Sequence, residues 1–163
     1  MATPLLTKEQ AQRFMFALYD VDFLSWSAIE IHDHFQSVEK YGRSGLNPIL
    51  QTEGKFLMQR VPALVLLRLG SVVEQCIDQL CIKLLSVGDF EGLRLLARLK
   101  AVNHVRSIDV TALTALWKHR NRSSHDLDAE VTWDDVKGYE KVVQALVEPL
   151  AKEADPDGYS PRT

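Results

Sequence analysis

The nine residues Trp117-Lys118-His119-Arg120-Asn121-Arg122-Ser123-Ser124-His125 gather the side chains in this sequence best suited to act on a phosphate ester. An arginine can hold two phosphate oxygens with its planar fork of N–H donors. A histidine titrates near neutral pH and can move a proton to or from a ribose oxygen. The helical periodicity upstream predicts that a helix ends near residue 122. Arg120 would then lie in the last turn, where the helix dipole favours a cation, and His125 just beyond it on a turn. Across such a helix end the two groups can converge on one phosphate. RNA carries its own nucleophile, the 2′-hydroxyl. Cleavage needs that hydroxyl deprotonated, the phosphorane charge stabilised and the 5′-oxygen protonated, and none of these roles demands a metal or cofactor.

Other chemistries find little support. His32-Asp33-His34 is the nearest approach to a metal cage, but neighbouring helical positions fan apart, so a solvated face is expected. Cys76 and Cys81 lie five residues apart on one predicted helix, about 140° around its axis, and are expected to be two buried free thiols. There is no Gly-x-Ser-x-Gly and no Gly-rich phosphate loop. Ser123 and Ser124 beside His125 do not make a triad, because no oxyanion-hole element accompanies them.

The elements that must position Arg120 and His125 read as helices almost throughout. Thr7 with Gln10 forms a capping box. Phe14, Leu18, Val21, Leu24, Ala28, Ile31, Phe35 and Val38 then recur at steps of three or four, giving one apolar stripe on a long helix over about 8–41, with a bend expected near Ser25–Ser27. Gly42, Ser44, Gly45, Asn47 and Pro48 mark a loop. A second helix runs from about Pro62 to Leu85 and is apolar on most of its surface, as a central core helix should be. Gly88 is read as its end and Asp89 as the cap of a short third helix over about 90–99. A loop through Asn103 to Ser107 leads to a fourth helix over about 109–122, capped by Asp109. Thr132 and Asp135 cap a fifth, whose stripe is Trp133, Val136, Val143, Leu146 and Leu150. Trp117 is expected in the core. The first two helices offer more apolar area than a small bundle needs, which leaves one stripe for a dimer surface.

The result is an all-α bundle of about five helices, with a long first helix and an apolar central one. The 163 residues suit one domain, with a folded core over 6–152 and a loose tail over 153–163. Hydrophobic residues make up 46% and charged residues 25%, an ordinary globular balance. No apolar run is long enough to span a bilayer, and MATPLLTKEQ lacks the pattern of a signal peptide, so a cytoplasmic location away from membranes is expected. The net charge of −3 is uneven. Residues 94–125 hold seven Lys or Arg against one acid, a net +6, so the remainder carries −9. That segment points to a local anionic partner such as RNA.

The stretch Arg120-Asn121-Arg122-Ser123-Ser124-His125 resembles the signature of the HEPN superfamily, an Arg and a His separated by four to six residues and often written Arg-Asn-x-x-x-His. Arg98 to His104 satisfies only the loose form. The order of elements is similar too: a long central helix, the motif at the end of a later helix, then one more. In some HEPN groups an acid follows the apolar run of the core helix, and Glu74 stands at that position. The likeness covers most of residues 60–150. It implies a homodimer with two Arg/His pairs facing one cleft. It also implies metal-independent RNA cleavage with Arg120 and His125 as the catalytic pair, Asn121 and Glu74 in support, and Lys118, His119, Arg122 and Ser124 against RNA. Such domains serve as toxins or defence effectors, which suggests a cognate antitoxin or regulatory protein. One toxin group continues the motif as His-x-Tyr and is neutralised through that tyrosine. Here the residue is Leu127, which puts that mode of restraint in doubt. The alternative is a non-catalytic HEPN module that binds RNA, a nucleotide or a partner protein.

Overall fold

The capping box read at Thr7 and Gln10 is made in both directions, with contacts of 2.9 and 3.1 Å, and opens α1 (Lys8–Lys40). The computed structural model describes residues 3–40, 60–126 and 128–158. The loop signals at residues 42–48, Leu127 and the tail from 159 fall outside these, as do the side chains of His32 and of residues 34–40. Five more helices follow among the described residues: α2 (Val61–Leu84), α3 (Val87–Phe90), α4 (Leu95–Val105), α5 (Val110–His125) and α6 (Trp133–Ala154). No strand occurs among the described residues, and none of their helices is long and apolar enough to cross a membrane.

The apolar run of α2 makes it the hub. Leu66, Leu69, Val73, Ile77 and Leu80 are fully buried, and the helix packs against α1, α4, α5 and α6. Each such aliphatic side chain contributes about 1.5–3 kcal/mol of burial. α1 runs antiparallel to α2: Gln10 donates to Gln79 at 2.7 Å, and further along Asp20 meets Arg68 at 3.7 Å. α6 closes the bundle against α1 and α2, burying all five residues of its predicted stripe. Lys8 pairs with Asp155 at 2.9 Å just past the end of α6. Arg106 ties α4 to Glu153 of α6 at 2.6 Å.

Several sequence expectations shift. α1 runs through Ser25–Ser27 as one helix. Its buried face runs Phe14, Leu18, Val21, Ser25, Ala28, so Ser25 takes the core position and Leu24 turns out to 46% exposure. A step of four from Val21 keeps closer to that face than a step of three. Ile31 is likewise exposed, while Phe16, Phe23 and Trp26 form an outward stripe at 65%, 66% and 62% exposure. Gly88 does not end α2 but lies inside α3, which Ser86 opens through its N–H bond to Asp89 at 3.3 Å. The turn that needs glycine is Gly92, at φ +73, and so α4 starts later and runs to Val105 instead of residue 99.

Cys76 and Cys81 are both buried and free. Burial pushes the Cys76 thiol up to about 12, against a smaller opposing effect of Arg106. A thiolate-directed reagent at pH 8 is therefore expected to leave native protein unlabelled and to label both cysteines once it is denatured. Stoichiometric labelling of native protein would contradict this packing.

Candidate functional site

α5 begins where the sequence placed it, with Asp109 accepting from the Ala112 N–H at 2.9 Å. It does not stop at residue 122. Ser123 donates to the Arg120 carbonyl at 2.9 Å and Ser124 to the Asn121 carbonyl at 2.8 Å, so the two serines bond back along the helix instead of breaking it. His125 is thus the last helical residue and not part of a following turn. Five residues on a continuous helix place Arg120 and His125 about 140° apart around the axis and about 7.5 Å along it. In one chain the two side chains leave α5 in different directions, and the convergence expected across a helix end is not made.

Arg120 lies over α2. A Cβ at Gly70 would stand 3.1 Å from its Cγ and 3.3 Å from its Nε, so the glycine makes room for the arginine stem. The guanidinium donates to Asn121 Oδ1 at 2.8 Å and faces Glu74 Oε2 at 3.7 Å, an ion pair longer than a hydrogen bond. Its buried Nε has no hydrogen-bond partner. Arg120 is held in place with donors unspent. Asn121 and Glu74, read from sequence as supporting residues, both lie beside its guanidinium. Gly70 was missed, although a lone glycine inside an apolar helix is a recognised sign of close approach.

His125 is exposed and makes no hydrogen bond or ion pair with the described residues. Lys118 and Ser124 are exposed as well, and Arg122 is exposed with Asp126 3.8 Å away. His119 is different. Its Nε2 lies 3.1 Å from the Glu130 carbonyl, which can only accept, so Nε2 carries the proton. Its Nδ1 lies 3.3 Å from the Tyr139 hydroxyl, and the two rings meet edge to face. Both ring nitrogens serve to join α5, the following loop and α6.

The positive segment is not a single patch. Arg98 pairs with Asp78, Arg106 with Glu153, Arg120 with Glu74 and Arg122 with Asp126, which accounts for four of its seven cations. Trp117 is not in the buried core either. It lines an open groove of about 470 Å3 together with Glu74, Asp78, Arg94 and Arg98. Among the described residues no group of three or more His, Cys, Asp or Glu could hold a metal ion, and the side chains of His32 and His34 lie outside them.

Behind the site, Thr132 and Asp135 cap α6 reciprocally at 2.9 and 3.1 Å. The backbone N–H of Thr132 holds the Asp135 carboxyl below the usual carboxylate range, with the Thr132 hydroxyl and His119 adding to the effect. Burial pushes the Tyr139 phenol up, and Asp135 adds to it. Because the folded value for Asp135 lies below the unfolded one, its contribution is complete above a pH of about 3.9 and fades as pH falls through the folded value. Thr132→Ala is expected to lower unfolding free energy by about 1 kcal/mol at pH 7. In urea melts that gap from wild type should narrow in acid, and a gap independent of pH would rule out the Asp135 contribution.

No protein-family model, curated protein or solved structure matches the chain.

Proposed function

We propose that this protein is a metal-independent RNA endonuclease of HEPN type, working as a homodimer with Arg120 and His125 at its reactive centre. The observation that carries the reading is an arginine anchored over Gly70 and hydrogen-bonded through its guanidinium to Asn121, together with an exposed imidazole that makes no hydrogen bond with the described residues, on consecutive turns at the end of one helix. The imidazole of His125 takes the proton of a ribose 2′-hydroxyl. The 2′-oxygen attacks phosphorus while Arg120 holds the phosphorane charge. The bond to the 5′-oxygen breaks, and that oxygen is protonated by an imidazolium. The products are a 2′,3′-cyclic phosphate and a 5′-hydroxyl.

Two copies are needed because Arg120 and His125 of one chain diverge. A cleft between copies lets the arginine of one meet the histidine of the other, whose imidazole takes the 2′-proton and gives it back to the 5′-oxygen. The aromatic stripe on α1 is apolar surface of the kind such a contact covers. In the cell the activity would be that of a toxin or stress-defence effector in the cytoplasm, restrained by an antitoxin or regulatory protein. A second reading, a non-catalytic module that binds RNA or a partner protein, is favoured by one observation: Arg120 and three of the other six cations of the segment are already paired with acids.

Purified protein incubated with total and transfer RNA in EDTA decides between them. Cleavage to cyclic-phosphate ends by wild type, absent in a folded His125→Ala protein, supports the nuclease. Salt-sensitive RNA binding with no products supports the second reading.

A further inference from the structure

The groove beside the site has a composition suited to one nucleobase. It lies where α2, α4 and α5 meet, with Trp117 from α5, Glu74 and Asp78 from α2, and Arg94 and Arg98 at the start of α4. Glu74 joins it to the Arg120 site. Its charges are not equivalent. Asp78 and Arg98 neutralise each other. Arg94 is exposed and, among the described residues, has no carboxylate within ion-pair distance. The contact of Glu74 with Arg120 is long at 3.7 Å, and a carboxylate offers about four lone-pair positions, so Glu74 keeps acceptors for two further donors. An aromatic wall, one open carboxylate and one open guanidinium therefore share a space of about 470 Å3.

We propose that this groove is a guanine subsite: the base stacks on Trp117, its N1–H and 2-amino group donate to the Glu74 carboxylate, and the adjoining phosphate meets Arg94. The proposal rests on the reading of the protein as an RNA-cleaving enzyme and names the base held next to the cut. Stacking is open to every base and does not select. Selection comes from the carboxylate, which only accepts. Guanine presents two adjacent donors on its pairing edge. Adenine and cytosine each place an acceptor nitrogen beside a single amino group, and uracil flanks its one N–H with two carbonyls. Only guanine matches both carboxylate oxygens without setting an acceptor against them.

The test is titration of the full chain with the 5′-monophosphates of guanosine, adenosine, cytidine and uridine, followed by intrinsic tryptophan fluorescence. Guanosine monophosphate should bind at least about tenfold tighter than the others, the scale of one good bidentate contact. Glu74→Gln, which turns one acceptor into a donor, should erase the preference and leave the helical circular dichroism unchanged. Trp117→Phe should weaken all four nucleotides and remove most of the quenching. Equal binding of the four by wild type, or a preference that survives Glu74→Gln, overturns the guanine subsite. Binding is read apart from cleavage, so the two proposals fail separately. Guanosine monophosphate bound selectively beside uncut RNA supports the groove and counts against the nuclease, whereas RNA cut by a protein that binds all four alike overturns the groove alone.

Discussion

His125→Ala is expected to lower RNA cleavage by about 10²–10⁴-fold, the usual worth of a positioned general acid or base. The fold should not notice. His125 is exposed at the end of α5 and makes no hydrogen bond with the described residues, so its loss should cost less than about 0.5 kcal/mol. Arg120→Ala should reduce cleavage as severely, but with a measurable loss of stability. It empties the space over Gly70 and leaves Glu74 without its cation. Mixing the two dead variants asks where the site is built. If each centre takes Arg120 from one copy and His125 from the other, a mixed dimer has one intact centre. A one-to-one mixture should then recover about a quarter of wild-type activity, since half the dimers are mixed and each keeps one of two centres. If both residues act within one chain, the mixture stays dead. Recovery well above that fraction, or a fully active His125→Ala protein, would refute the composite centre.

What could be read from sequence was whatever depends on neighbours in the chain. The caps at Thr7, Asp109 and Thr132 are contacts three residues long, and each is made as expected. The stripe of α6 is clear because its apolar side chains keep strict helical spacing. Errors arose where residue type and position compete. Leu24 looked like core because it is leucine, yet the period assigns that place to Ser25. Gly88 and Gly92 are equally good punctuation, and only the backbone tells which one needs a positive φ. Ser123 and Ser124 looked like the start of a turn but spend their hydroxyls on α5 itself.

The candidate site divides along the same line. Arg120, Asn121 and His125 stand out as a local motif. That Arg120 lies over Gly70 and against Glu74 depends on packing between segments some fifty positions apart, which periodicity does not encode. The charge of residues 94–125 is plain in sequence, but its cancellation is not, since Asp78 and Glu153 come from helices on either side. Trp117 reads as a core residue on chemistry alone. It lines a groove because the helices around it leave that side open.

Leu116→Ala is expected to have the largest effect on stability, and to reach the reactive centre through it. Leu113 and Leu116 are the buried residues of α5, and Leu116 is fully enclosed. By contrast α2 buries eleven residues, so the helix that carries Arg120 and His125 is fastened by far fewer apolar contacts than the hub it rests on. Truncating a buried leucine costs about 2–5 kcal/mol, a large share of the 5–15 kcal/mol that holds a typical domain together. Besides buried Leu113 and partly buried Val110, the remaining ties of α5 are polar and partly exposed: Arg120 with Glu74, and His119 with Tyr139 and Glu130. They cannot replace that burial. Urea unfolding should therefore show a lower midpoint for Leu116→Ala. Amide exchange should rise first in α5, ahead of α2 and α6, because the loss falls on an element with only two buried residues. Cleavage should decline at temperatures where the far-ultraviolet dichroism still reports a folded bundle. A uniform rise in exchange across all helices, with cleavage lost only at global unfolding, would mean that α5 is as firmly held as the core.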